Sequence, residues 1–306
     1  MQLDETRIAV RERGYLDTLD VSLQVFRAYF SPIMQTALLG IVPLMLLNHY
    51  LLSWMADVHF SRDIAEVDLS GMFRFSWNMA LLVFVQAPLG TMFTTSFIGK
   101  AVFLDQPSFR EVVEDVWKMA PKLIWCQLLL RGIAPAIALM FLVERYGEYD
   151  GVLEGFFLII LALYVAILRA VRPFMNEIVL LERNPLRKKA GSIMTISRRS
   201  ALLHGPAGGD LFVQALGCVC LAILLTLSLY GTFIFIQGVW LNDWRQGPIL
   251  LKFCLPFSMW LVATFMAVFR FMSYLGLRIR QEGWEVELNL RAEAARLTKR
   301  VGGETA

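Results

Sequence analysis

The chain has 306 residues, 57% of them apolar and 18% charged, with a formal net charge of +3 and a mean hydropathy of +0.56. A soluble domain sits nearer roughly 45–50% apolar and about 25% charged. The balance excludes an ordinary soluble globular protein, and no separate basic domain for nucleic acid is present.

The first 30 residues are charged and amphipathic, with no apolar h-region or cleavage site, so no removable signal peptide is expected. Within them "YLDTLDVSLQVFRAYF" places Leu16, Leu19, Leu23, Phe26 and Phe30 at helical spacing, with Asp17, Asp20, Gln24 and Arg27 elsewhere. Apolar segments then follow at 32–55, 75–97, 123–143, 153–172, 212–240 and 248–274. Each is near the roughly 20 residues that a helix needs to cross a bilayer. The expected fold is all-α: a polytopic membrane protein with six transmembrane helices. Cytoplasmic amphipathic helices are expected before each hairpin and at the C-terminus. The second of these, "QPSFREVVEDVWKMAPKL", carries Ser108 and Glu111 as a capping box and an apolar stripe of Phe109, Val113, Val116 and Ala120. The third is "NPLRKKAGSIMTISRRSALLHG", and the last is "RIRQEGWEVELNLRAEAARLTKR". Residues 1–281 are expected to form the membrane domain and 282–306 a cytoplasmic tail helix.

Six spans put both termini on one side. The loops and arms on that side hold 22 of the 29 Lys and Arg residues, while the opposite loops at 57–71, 144–151 and 241–247 hold only Arg62, Arg145 and Arg245, and the first two are acidic. The positive-inside rule then places both termini in the cytoplasm. Trp54 and Trp240 fall near the outer interface and Trp117 and Trp125 near the inner one. The cluster Arg183, Arg187, Lys188, Lys189, Arg198 and Arg199 either sets topology or also binds anionic lipid headgroups, each charge contributing roughly 1 kcal/mol at the surface.

Motifs for chemistry are missing. His49, His59 and His204 are far apart, and no metal site or other cofactor is expected. No nucleophile elbow, zinc-protease or phosphate-loop motif occurs. The four cysteines fall in apolar stretches and read as packing residues. No Asp or Glu lies deep in a span: Glu154 stands at the outer edge of the fourth and Glu177 comes nearest at its inner end, which argues against an ion-coupled pump. A polar seam remains: Asn78, Gln86, Gln127, Arg131, Gln214 and Gln237, with internal prolines at Pro43, Pro88, Pro135 and Pro256. Arg131 lies about 15 Å into its span, near the bilayer midplane. Pro135 has no N–H, so the Arg131 carbonyl loses its helical partner. Arg131 either locks the bundle by bonding freed carbonyls or faces a cavity as an anion or lipid-phosphate site. Lys252 and Arg270 lie nearer the ends of the sixth span, within snorkelling reach of water.

Four stretches in this order carry a resemblance: "LDTLDVSLQVFRAYF", "PSFREVVEDVWKMAPKLI", "ISRRSALLHG" and "YLGLRIRQEGWEVEL", the last with Arg278, Arg280, Glu282 and Gly283. The chain resembles a group of bacterial six-span membrane proteins, similar to the membrane domain that accompanies some glycerophosphoryl diester phosphodiesterases. It departs from them in a longer, more basic stretch before "RRS". The resemblance implies the six-span architecture in a bacterial cytoplasmic membrane and, with the catalytic domain absent, no enzymatic role. The expected function is a scaffold or assembly partner that docks a membrane or cytoplasmic protein and contacts the bilayer, including anionic lipids. The alternative is a transporter or flippase for an anionic or amphipathic solute using Arg131.

Overall fold

A computed structural model describes residues 13–61, 69–102, 107–129, 151–186, 194–244 and 246–282. Arg131, Pro135, Arg187, Lys188, Lys189 and the expected tail helix after Glu282 lie outside them. All regular structure among the described residues is helical. The elements are α1 (Tyr15–Ala28), α2 (Phe30–Ser61), α3 (Leu69–Gly90), α4 (Met92–Ala101), α5 (Phe109–Ile124), α6 (Gly151–Val171), α7 (Met175–Leu181), α8 (Ile196–His204), α9 (Gly208–Leu241) and α10 (Leu255–Glu282). A π-helical turn, Trp125–Leu129, continues α5, and another, Leu250–Cys254, leads into α10. The second π turn stands just ahead of Pro256, whose ring removes one i→i−4 bond from the ladder.

Three stretches, Phe30–Ala56, Gly208–Leu241 and Leu250–Glu282, are long and apolar enough to cross a membrane. Two bent pairs bring the number to five if each counts as one span: α3 with α4, bent by 42°, and α6 with α7, bent by 52°. The expected segment at 123–143 is described only as far as Leu129.

Small residues decide how closely the helices approach. A Cβ on Gly40 of α2 would collide with the Gly90 carbonyl oxygen of α3, and one on Gly90 would enter the Trp260 ring of α10. Glycine at both positions lets three helices meet at one level. That level is ten residues beyond Phe30, about 15 Å along α2 and so about half the thickness of a bilayer core.

The core divides on either side of this level. One cluster gathers Leu52, Phe75, Met79, Leu82, Tyr230 and Trp260 from α2, α3, α9 and α10. The larger cluster lies at the other end, which we call the capped end. It joins Val25 and Ile33 to Ile98, Val116, Ile178, Ile196, Phe271 and Ile279. The short halves of the bent pairs are its centre: Phe93–Ala101 except Lys100, and Met175 through Leu180, are buried. Helix α10 is the axle of the bundle, with 56% of its most apolar window buried, whereas α9 buries 6% of its own and lies outermost.

Local signals explain several ends. Ser108 Oγ accepts from the Glu111 amide at 3.3 Å, which is the serine half of the expected capping box. Thr195 Oγ1 does the same for the Arg198 amide at 3.4 Å. Asn242 ends α9 with φ 51°, a left-handed conformation that asparagine tolerates.

Candidate functional site

The bent pairs cross at their breaks. The first break is Thr91, three residues after Pro88. Side chains take up the carbonyls around it. Thr91 Oγ1 donates to the Ala87 carbonyl at 2.7 Å, Arg169 Nη2 to the Val85 carbonyl at 2.8 Å, and Asn176 Nδ2 to the Pro88 carbonyl at 2.7 Å. The last two donors come from α6 and α7. Arg169 rises in step with Val85, and Asn176 with Pro88, so the two bent pairs run side by side in the same direction. The Arg169 guanidinium also sits 4.3 Å from the Phe84 ring centroid, a cation–π contact that offsets part of its desolvation.

The second break, at Arg172–Phe174, is capped in the same manner. The Phe174 amide donates to His204 Nε2 at 3.3 Å, and the two rings stack with centroids 5.6 Å apart. His204 Nδ1 faces the Ser200 carbonyl at 2.7 Å, which fixes the tautomer with the proton on Nδ1. Gln127 Nε2 closes the crossing with a 2.5 Å bond to Asn176 Oδ1. Gln127, Asn176 and Thr91 are all buried.

One residue beyond Asn176 is a group that is costly to bury. Glu177 is 0% exposed, and its Oε1 accepts from Arg270 Nε at 2.7 Å. Its Oε2 and Arg270 Nη2 are buried with no hydrogen-bond partner among the described residues. A buried carboxylate persists only when paired. Arg270 therefore does not snorkel as its position near the end of the sixth segment suggests; it turns inward to Glu177.

Nearer the capped end a charge-balanced clasp joins α8, α10 and the end of α7. Arg199 Nε donates to Glu182 Oε2 at 2.6 Å, and Arg199 Nη2 also pairs with Glu282. Arg278 pairs with Glu282 at 2.7 Å, and the Tyr274 hydroxyl donates to Glu182 Oε1 at 2.8 Å. Burial alone would lower the Arg199 pKa; its bonds to Glu182 and Glu282 outweigh that and raise it further. The clasp brings "ISRRSALLHG" and "RIRQE" into contact.

The remaining seam residues find separate partners. Gln86 Nε2 donates to Asn48 Oδ1 at 2.8 Å, linking α3 to α2. Asn78 Nδ2 donates to the Arg74 carbonyl at 3.0 Å. Gln214 Nε2 donates to Ser273 Oγ at 2.7 Å, linking α9 to α10, and the half-buried Gln237 donates to the Asp243 carbonyl at 3.3 Å. Of the basic cluster, Arg199 is committed to the clasp and Arg183 pairs with Asp115 at 2.9 Å, while the Arg198 side chain is exposed. Asp115 also holds Lys100 at 2.6 Å. Burial alone would raise the Asp115 pKa; the Lys100 bond and charge, with Arg183 behind them, keep it below its usual value.

Sequence reasoning missed Asn48, Asn176 and Arg169. Each is a polar residue inside or at the end of an apolar run, and that is the signal that finds them. Arg169 sets a guanidinium on the Val85 carbonyl beside Pro88, while Arg131 lies outside the described residues.

These features define an all-helical membrane protein whose bundle contains two broken helices locked by side chains. Comparison of the chain with protein-family models, curated proteins and solved structures finds no match.

Proposed function

We propose that the protein is a non-enzymatic six-span carrier of the bacterial cytoplasmic membrane, a transporter or flippase for an anionic or amphipathic solute. The capped end faces the cytoplasm in this reading. The observation that carries it is the meeting of two parallel broken helices, with the Glu177–Arg270 pair beside them. Broken helices at membrane depth are a recurring way to build a solute site, and ionisable groups there mark pathways. The breaks are natural hinges, and Glu177 and Arg270 each keep one polar atom, unpartnered among the described residues, for a solute group or water.

Connectivity supports the sixth crossing. Val25 and Ile33, near the start of α2, share one cluster with Leu277 and Ile279, near the end of α10. Five spans would separate those ends. A further crossing by the expected apolar segment at 123–143 restores parity, and its 21 residues match the roughly 20 that a bilayer core needs. Six crossings are also what the resemblance to the phosphodiesterase-associated membrane domains implies.

Proteoliposomes test the carrier reading. Dye-labelled phosphatidylglycerol in the inner leaflet is protected from dithionite unless it is flipped, and trapped carboxyfluorescein reports the passage of a soluble anion. The wild type is expected to accelerate one of the two over protein-free vesicles, and Glu177→Gln to abolish the acceleration while the variant remains folded. Wild-type vesicles identical to protein-free ones in both assays overturn it. A second reading, a scaffold or assembly partner, draws on a different observation: the crossing is filled by its own buried side chains, Gln127, Asn176 and Thr91. Inactive vesicles together with a stoichiometric protein co-purified in mild detergent would favour it.

A further inference from the structure

Helix α1 has three faces, not two. Thr18, Ser22 and Val25 are buried, and the rings of Tyr15 and Phe26 pack edge-on against Phe269 and Phe265 of α10. With Gly14 just ahead, Thr18 and Ser22 make a stripe of small residues every four positions, which lets the helix lie close on its partner. The leucines are elsewhere: Leu16 is 74% exposed and Leu23 51%. At about 100° per residue they share an arc beside the buried one. Asp17, Asp20, Gln24 and Arg27, all exposed, fill the third arc.

Helix α5 repeats the arrangement. Val112, Val116, Ala120 and Leu123 are buried. Next to them lie Trp117, 76% exposed, and Ile124, 45% exposed. The third arc carries Arg110, Glu111, Glu114 and Lys118, again exposed. Going round each helix in the same sense, the order is buried, apolar and exposed, then polar. A helix in water needs only a buried and a polar face. The middle face requires a second apolar surrounding.

We infer that α1 and α5 lie in the boundary layer of one leaflet, with Leu16, Leu23, Trp117 and Ile124 against lipid acyl chains and the third arc against headgroups and water. Continuity decides for lipid as the occupant. The α1 face runs on into Phe30, Leu38 and Leu39 of α2, all exposed, and the Tyr15 hydroxyl reaches Gly217 of α9 near the exposed Leu216 and Val219. Both neighbours are helices long and apolar enough to span a membrane, so the same hydrocarbon bathes all three. Helix α5 passes directly through Trp125–Leu129 into the next apolar segment, which holds its end at the same boundary. Tryptophan and lysine side by side, as in Trp117 and Lys118, suit that layer.

The inference does not depend on the carrier reading, and its test uses no transport. Single cysteines replacing Leu16, Leu23, Trp117, Asp20 and Lys118, in a chain with Cys126, Cys218, Cys220 and Cys254 changed to serine, are spin-labelled and reconstituted in vesicles of phosphatidylglycerol and phosphatidylethanolamine. Oxygen concentrates in hydrocarbon and a nickel chelate stays in water. Labels at Leu16, Leu23 and Trp117 should relax faster with oxygen than with nickel, and those at Asp20 and Lys118 the reverse. Nickel dominance at the first three overturns the inference. So does protection from both relaxants, which is the signature of a protein partner or second copy covering the face. Where a cysteine variant fails to fold, the native tryptophan serves. Brominated lipid should quench less of the total fluorescence in Trp117→Phe than in the wild type, and an equal quenched share rejects lipid contact at that position.

Discussion

Glu177 and Arg270 are 93 residues apart in the chain and 2.7 Å apart in the bundle. Removing one member of a buried pair leaves the other charge uncompensated, at about 3–5 kcal/mol. Arg270→Met leaves the fully buried Glu177 carboxylate uncompensated, so a clear fall in melting temperature in detergent is expected. Glu177→Leu combined with Arg270→Met should recover most of the loss, because an apolar pair of similar volume needs no solvation. A single variant that melts like the wild type would show that the pair is not desolvated. Asp115 makes a prediction about pH. Its folded pKa is depressed by Lys100 and Arg183. The stability it contributes is therefore complete above the unfolded carboxylate value, about 3.9, and is lost as pH falls through the lower folded value. Asp115→Asn should melt below the wild type at neutral pH, and the gap should close in acid; a gap constant with pH rejects the ion pairs as its source. At this scale the sequence was only partly legible. Glu177 stood out as the acid at the inner end of the fourth apolar segment and Gln86, Gln127 and Gln214 as polar interruptions. Their partners Asn48, Asn176 and Ser273 did not, because helical periodicity describes one helix and carries nothing about which neighbour lies opposite.

Elements respond to backbone approach. Gly40→Ala places a methyl group on the Gly90 carbonyl, a backbone atom that cannot rotate away. Overpacking of this kind costs about 1–3 kcal/mol, and Gly40→Ala should lower the melting temperature while loosening α2 from α3. Gly231→Ala is the control. A Cβ there meets nothing within 4 Å, so the gain in helix propensity should leave α9 unchanged or slightly firmer. Equal destabilisation by both would mean that helix propensity, not the crossing, governs the response. The long apolar segments of α2, α9 and α10 were legible from composition, since burial in hydrocarbon needs only length and apolarity. The break after Pro88 was foreshadowed by the proline; the second, at Arg172–Phe174, was not, because the expected fourth apolar segment ends at Arg172. The packed face of α1 was not evident from the leucine stripe. Leu16 and Leu23 are exposed, and the buried side is Thr18, Ser22 and Val25. In a soluble helix the most apolar face turns inward; beside a membrane-spanning helix, small residues take that side because they permit the closest contact.

The molecule as a whole turns on parity. Helices α1, α5 and α8, the ends of α4 and α7, and the start of α2 and end of α10 all converge on the capped end. The proposed orientation puts that end in the cytoplasm, where the basic stretches gather. Single cysteines at Ser61, Tyr149 and Asn242, in the chain without native cysteines, should then react with an impermeant maleimide in intact cells. Cysteines at Ser108, Ser197 and Thr298 should react only after the membrane is opened. Each position tests a different link. Labelling at Tyr149 requires the crossing between Leu129 and Gly151, because five spans would leave that loop on the same side as Ser108. Protection at Ser197 requires α6 and α7 to act as one bent span that returns the chain to the capped end, as the Arg199 clasp to Glu182 and Glu282 demands. Protection at Thr298 requires the last helix to end where the first begins. Labelling of Ser197→Cys from outside removes the six-span arrangement, and inverted labelling at all six positions keeps the arrangement and reverses the orientation.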